Sequence, residues 1–538
     1  MEQGSTSVLV VDFSLRSAEL TSKPQPPQRG NGVKLRIMSI IIWPTGCGFR
    51  PPFGGAFGGD LGASSVERSC RRLTSKPRSP LWGNGVKKRK EKHGIVEPKK
   101  DEGYHEKKAK QAIQLSKQLI HDEAFKERHR KSKQNFSRER KLTFPIMMMI
   151  LMQKGAKSMQ LRLNEFFKKL KMPLVTSSAF SQARKQLKGE AFIELNRKAV
   201  VEVMYGDEAY QRYKGHRLLG VDGSKVYLPP TEAIIAKFGG TAKNQHSEHI
   251  EPFGLASVLY DLLNNIALDA VLAPGKSYEV DLAQGHVAHT QAGDVLIFDR
   301  NYPAYIWLAT LVQQGVDFVG RGSRASFKAV QQMFAGQGAD SQIVTIKANS
   351  SQRKQVRQLG LPEHITVRLV RLTLPSGETE ILITSLLDEA RYPTQEFGGL
   401  YFMRWGSETF YDLLKNRLLL ENFTGQTVEA VEQDFHATIY ISGLETLLTQ
   451  EANETLQAKA HPNRYPQKVN QAVSFNTIKN HVTDLLFSQP DEDLLLAELT
   501  QLFLMKPTLI RDGRSVPRPK PSTARSLRFH KRFKKICF

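Results

Sequence analysis

The stretch Tyr401-Phe-Met-Arg404-Trp-Gly-Ser-Glu408-Thr-Phe-Tyr411-Asp-Leu-Leu-Lys415 sets one carboxylate among two cations and two phenols. At about 100° per residue, Tyr401, Arg404, Glu408, Tyr411 and Lys415 fall within roughly 80° of one another on a helical wheel. Met403, Phe410 and Leu414 collect on the opposite side, where a core would take them. The spacing therefore predicts one helix with an apolar back and a charged front. Alone, a surface Glu beside an Arg at i,i+4 is only a weak salt bridge. It gains a chemical role when other carboxylates converge on it, because hard oxygen donors of this kind hold divalent cations.

Two further carboxylates stand out by position. Leu218-Leu-Gly-Val-Asp222-Gly-Ser-Lys-Val-Tyr-Leu228 reads as a strand ending at Pro229-Pro230. Glu251 to Asp261 and Ile266 to Leu272 read as two more, joined at Asn264-Asn265, a hairpin signal. Glu279 to Ala292 is helical, and Asp294 to Asp299 is a short apolar run of the buried, parallel kind. Tyr302 to Gln314 is a helix and Val316 to Gly320 a strand. Three strands in series, then α/β alternation, predict an α/β fold with an RNase H-like core. In such a core the first strand and the later parallel strand are neighbours, so Asp222 and Asp299 can share a cation, and Asp299 lies at a carboxyl edge, where α/β sheets place their sites. An all-oxygen set predicts Mg²⁺ or Mn²⁺. Two such ions about 3.5–4 Å apart activate the attacking oxygen and stabilise the leaving one in phosphodiester transfer. The bland alternatives are a strand-end turn for Asp222 and a helix cap for Asp299. Asp261, Asp269 and Asp294 read as structural in that way. His246, His249, His286 and His289 make no convincing metal set and read as surface or packing residues. Trp405 reads as packing under the site rather than stacking on a base.

The elements that must position these residues occupy the middle of a long, basic chain. It has 538 residues, with 77 Lys and Arg against 53 Asp and Glu, a net charge of +24. A balance this basic points to a polyanion, nucleic acid first and an acidic membrane surface second. No apolar run reaches the ~18 residues that a spanning helix needs. Three cysteines, Cys47, Cys70 and Cys537, exclude a disulfide framework and lack zinc-ligand spacing. They predict a reducing cytoplasm, and no signal-peptide pattern opens the chain. Residues 1–95 are rich in Gly, Pro, Ser and Arg. The segment from Leu20 to Lys34 recurs from Leu73 to Lys87. Two readings fit this stretch equally: a disordered extension, or repetitive DNA translated upstream of the true start. Residues 96–210 predict a helical, DNA-binding domain, with Arg184, Lys185 and Lys188 exposed, either against DNA or equally as a solvated face, and Met147 to Met149 as core filler. Residues 211–323 form the first part of the core and 324–400 a β-rich insertion. Residues 401–450 form the second part, 451–505 a helical C-terminal region and 506–538 a flexible basic tail.

At these residues the chain resembles the DDE transposases of the insertion-sequence-4 family. That family's signature is Tyr, two residues, Arg, three residues, Glu, six residues, Lys. Tyr401, Arg404, Glu408 and Lys415 stand at that spacing. Phe298-Asp299-Arg300-Asn301-Tyr302 resembles its Asp-Arg-x-Tyr, and Val221-Asp222-Gly-Ser224 its Asp-Gly-Ser. Ser277-Tyr278-Glu279 and His286 also sit where such proteins carry similar residues. The likeness runs over roughly residues 110 to 450. Asn301 stands where Gly is common, and Gly406-Ser407 where bulkier residues are usual. The resemblance implies water attack on a phosphodiester at an element end, then attack by the freed 3′-hydroxyl on target DNA. Asp222, Asp299 and Glu408 would be the metal ligands. Tyr401, Arg404, Lys415, Arg300 and Tyr302 would face DNA. The implied partner is double-stranded DNA, both element ends and target, with a homo-oligomer forming on it and no membrane, in a bacterial-type cytoplasm near the nucleoid. Two other readings compete: a catalytically inactive DNA-binding protein derived from a transposase, and a nuclease on the same core.

Overall fold

A computed structural model of the chain describes residues 94–96, 101, 103–138, 140–242, 250–374, 376–459, 465–488 and 491–511, all within one unit. The internal repeat, all three cysteines, His246, His249 and the basic tail beyond residue 511 lie outside the described residues. The expected limit of the N-terminal extension falls inside a short strand, where Ile95 and Val96 pair with Tyr213 and Arg212.

Helices come first, as the sequence predicts. They include α1 (Tyr104–His121), α2 (Phe144–Met152), α3 (Ser177–Arg184) and α4 (Glu190–Asn196). α4 continues through a π turn at Arg197–Val201 to Met204. Thr176 caps α3 by accepting the Ala179 N–H at 3.2 Å. α2 is apolar on every side and is buried from Ile146 to Met152, the methionines included. A helix apolar all round belongs at the centre of a core. The basic face expected on α3 is corrected at Arg184. That side chain is buried and bonds Asp434, Gln433 and Thr424. A buried cation is held by partners, not offered to a ligand.

The sheet follows. Its strands are β1 (Leu218–Tyr227), β2 (Ile250–Asp261) and β3 (Ala267–Pro274). Helix α5 (Glu279–His286), β4 (Val295–Phe298), helix α6 (Tyr305–Gln313) and β5 (Asp317–Arg321) come next. Then come β6 (Ser341–Lys347), β7 (His364–Thr373) and β8 (Thr379–Thr384). Spatially the order is β3-β2-β1-β4-β5-β8-β7-β6, with the short strand Gly240–Ala242 also beside β2. β1, β4 and β5 are parallel, and every other pairing is antiparallel. Within the β-rich stretch expected over residues 324–400 lie β6 to β8. They continue the central sheet past β5 instead of making a sheet of their own.

Helices α7 (Phe397–Phe402) and α8 (Trp405–Asp412) lead back to the helical body. It is completed by α9 (Val428–Ala458), α10 (Gln471–Leu486) and α11 (Glu492–Leu504). α9 packs against α1 and α4, so helices from both ends of the described chain share one core. Among the described residues, no helix is long and apolar enough to cross a membrane.

Candidate active site

The site is built on the join between β1 and β4. The last paired rung is Gly220 with Ile297. Asp222 and Asp299 each stand two residues beyond it, at the same offset of 77 residues (297 − 220 and 299 − 222). The register is thus the one that makes the two aspartates neighbours. Asp299 sits where the chain leaves β4, its Oδ1 accepting the Asn301 N–H at 2.8 Å. Asp222 is raised to about 7. Burial is the main cause, and the Asp299 and Glu408 charges add to it, while the Gly223 N–H and the Arg404 charge oppose it.

Glu408 comes from α8. The single helix predicted over 401–415 is in fact two. α7 stops at Phe402, and the chain tightens through i→i+3 bonds from Arg404 N to Tyr401 O and from Gly406 N to Met403 O before α8 continues. The extra twist breaks the expected common face. Tyr401 turns into a core cluster with Tyr213, Leu218, Val295 and Ile297. It is buried, so its expected place facing DNA is corrected. Arg404 stays with Glu408, donating from Nη2 to Oε1 at 2.9 Å, and its Nε is buried without a partner. Trp405 is corrected the other way: it is 49% exposed rather than packed.

Two side chains fasten this helix to the sheet. Tyr411 is buried and donates from its hydroxyl to the Asp222 carbonyl at 2.8 Å and to the Ala256 carbonyl at 3.0 Å. Lys415, on the π turn Leu413–Arg417, donates to Ser224 Oγ and to the Lys225 carbonyl, both at 2.7 Å. It braces β1. Arg300 is exposed at the mouth of the site. Tyr302 is fully buried, so its expected contact with DNA is also corrected.

Sequence reasoning placed Glu279 only through a resemblance. The structure sets it beside Gly223 and Asp299. A Cβ added to Gly223 would lie 2.6 Å from Glu279 Oε1. Burial and the Asp299 charge raise its carboxyl, while Asn301 bonds it and pulls the other way. His286, Asp269, Asp261 and Asp294 are all held in hydrogen bonds or ion pairs, as structural residues would be. Among the described residues, no three His, Cys, Asp or Glu side chains are gathered closely enough to hold a metal ion.

Residues 213–442 match the Transposase DDE domain family, over a span that contains Asp222, Asp299 and Glu408. Over these residues the chain is similar to the DDE transposases. The chain is 24% identical over 269 residues to the transposase InsG for insertion sequence element IS4 of Escherichia coli (strain K12). That match covers 49% of this chain and 58% of the relative. It is 28% identical over 147 residues to the putative transposase InsZ of the same organism, covering 27% of this chain and 48% of the relative. The chain thus spans about half the length of these curated relatives. A cryo-EM structure of a piggyBac transposase synaptic complex with hairpin DNA aligns at TM-score 0.38 and 8% identity, over 76% of this chain and 87% of that one.

Proposed function

We propose that this chain is a transposase that carries out metal-dependent cleavage and strand transfer of an insertion sequence, with Asp222, Asp299 and Glu408 as the catalytic carboxylates. One observation carries the reading: Asp222 and Asp299 stand in register on adjacent parallel strands, and Tyr411 ties the helix bearing Glu408 to Asp222. An RNase H-like core is supported by the strand order β3-β2-β1-β4-β5, with three antiparallel strands leading into parallel ones.

The donor chemistry suits a hard divalent cation, Mg²⁺ or Mn²⁺, although the carboxylates as they stand are not gathered closely enough to hold one. It is all carboxylate oxygen, and its like charges already disfavour the ionised form of Asp222. When bound, such ions supply charge stabilisation to the attacking and leaving oxygens of the phosphodiester. Asp222, Asp299 and Glu408 would hold them. Arg404 now neutralises Glu408 and sits next to where a scissile phosphate would lie, and Arg300 stands exposed at the same mouth. Guanidinium groups suit phosphate because their fork donates two parallel hydrogen bonds. DNA, as element ends and as target, is the partner in this reading, with a homo-oligomer on the DNA and a cytoplasmic, nucleoid-associated setting.

The test is a supercoiled plasmid with candidate element ends. The wild-type protein should cut and join it. Asp222→Ala, Asp299→Ala and Glu408→Ala should each abolish cutting while end binding survives. Cutting without joining would favour a nuclease, and a gel shift alone a binding protein. Normal cleavage by one of the three variants would remove that residue from the site.

A further inference from the structure

Past the helix that carries Glu408, the helical body closes around a small cavity. It lies where α2, α9 and α10 meet the chain just after the π turn Leu413–Arg417. Its walls are mostly apolar, with Met152, Leu418 and Ile441 among them, and Thr438, Lys154 and Lys479 complete the lining. No carboxylate lines it. Thr438 gives its hydroxyl hydrogen to the Asp434 carbonyl at 2.6 Å. The space takes about one water-sized particle.

Two cations from different elements therefore share one small volume. Lys154 follows α2 and is buried. Its Nζ donates to the Leu420 carbonyl at 2.7 Å and lies 5.0 Å from the centre of the Phe423 ring. An ammonium has three N–H donors, so this one bond leaves two to be placed. Lys479 on α10 has no hydrogen-bond or ion-pair partner among the described residues. It keeps some contact with solvent, which gives an ion a way in. Burial pushes Lys154 down to about 8, with Arg162 and Arg184 pushing the same way and Asp434 and Glu421 opposing. Burial pushes Lys479 to about 7, and the charges of Lys154 and Arg162 add to it. Asp434 is already bonded by Arg184 and Thr424. A buried charge calls for an opposite one beside it, and the lining supplies none.

The adjoining chain is strained. Leu419 has φ 54°, a left-handed conformation that a leucine rarely adopts. Strain of this kind persists only where neighbours over-determine it. Here the Leu420 N–H bonds the Leu414 carbonyl at 2.8 Å, Lys154 holds the Leu420 carbonyl, and Asn422 bonds the Gly155 carbonyl at 3.0 Å. Lys154 thus links the cavity to the turn that ends the Glu408 helix.

We propose that this cavity is a binding site for one small monovalent anion of the chloride class, held between the side chains of Lys154 and Lys479. Size selects the class, because phosphate and sulfate, with four oxygens around a central atom, exceed a space for one particle. The bound ion fastens α10 to Lys154, and through it the helical body to the segment that follows Glu408.

Melting of the full chain in potassium chloride and in potassium gluconate, at equal ionic strength and below about pH 7, tests it. Gluconate is too large to enter. Wild type should melt at least about 2 °C higher in chloride. Lys479→Met should melt alike in the two salts. Chloride on the outer surface acts on both proteins equally and cancels in the comparison. The same chloride increment in Lys479→Met, or none in wild type, overturns the site. If Lys479→Met does not fold, wild-type crystals grown in bromide decide the matter through the anomalous signal of the ion. A peak between Lys154 and Lys479 supports the proposal, and no peak there overturns it.

Discussion

The Arg217 guanidinium grips the Asp294 carboxylate at two points, Nε to Oδ1 at 2.7 Å and Nη2 to Oδ2 at 2.5 Å. Both residues are buried, and the pair stands at the offset of 77 residues that also separates Asp222 from Asp299 (294 − 217). One end of the β1–β4 join is therefore clamped by opposite charges and the other carries like ones. A one-residue slip would break the clamp and move Asp222 to the wrong face. Asp294→Ala leaves a buried guanidinium alone, so it should cost about 3–5 kcal/mol in denaturant unfolding. The pair Arg217→Met with Asp294→Leu should be less damaging than the single change. An additive loss in the double variant would remove the clamp.

Arg404 and Lys415 should separate. Arg404 faces the site, so Arg404→Ala should lower the log–log salt slope of end binding by about one unit. Lys415 braces β1, so Lys415→Ala should leave that slope unchanged and lower stability by about 1 kcal/mol. Equal slopes for Arg404→Ala and wild type would place Arg404 outside the DNA contact.

Tyr411→Phe removes both bonds from α8 to the sheet. It should destabilise the fold by about 1–3 kcal/mol. It should also slow cleavage, because Glu408 loses its tether to the Asp222 strand. Stability lost with cleavage unchanged would show that the tether serves the fold alone.

A pH effect arises far from the site. Glu445 on α9 is buried, bonded by Ser474, and burial raises it from 4.5 to about 7. A carboxyl raised on folding favours the fold while protonated. Its stabilisation is full below about 4.5 and is lost as pH rises through about 7. Glu445→Gln should remove this slope and leave the protein more stable than wild type at pH 8, by up to about 3 kcal/mol. Parallel pH–stability curves for the two proteins would contradict it.

The N-terminal boundary is testable by truncation. Removing residues 1–90 should leave the melting temperature unchanged, whereas removing residues 1–97 should lower it, because Ile95 and Val96 pair with β residues Tyr213 and Arg212. Equal melting temperatures for both truncations would show that this pairing contributes nothing.

Much of this was readable from the chain. The run Val295 to Phe298 announced a strand buried on both faces, and the hairpin at Asn264-Asn265 announced the turn between β2 and β3. The aspartates were readable because they sit at strand ends, a local property. What escaped was tertiary. A helical wheel over 401–415 assumes an unbroken 100° step, and the tightening at Arg404 violated it. Arg184 read as a surface cation because its partners Gln433 and Asp434 lie some 250 positions away. Glu279 carried no local signal of its neighbourhood, since Gly223 and Asn301 meet it only after folding.

The excursion from β5 to β8 leaves and rejoins the sheet at one rung, Arg321 opposite Leu382. Strands β6 and β7 are thus appended at a margin five strands from β1 at its farthest. A lineage can lengthen or trim that margin in whole strands, like leaves at the end of a fan, while the hinge of the fan stays where the aspartates are. The appended strands form one edge of the sheet, and the aspartates stand on strands in its interior.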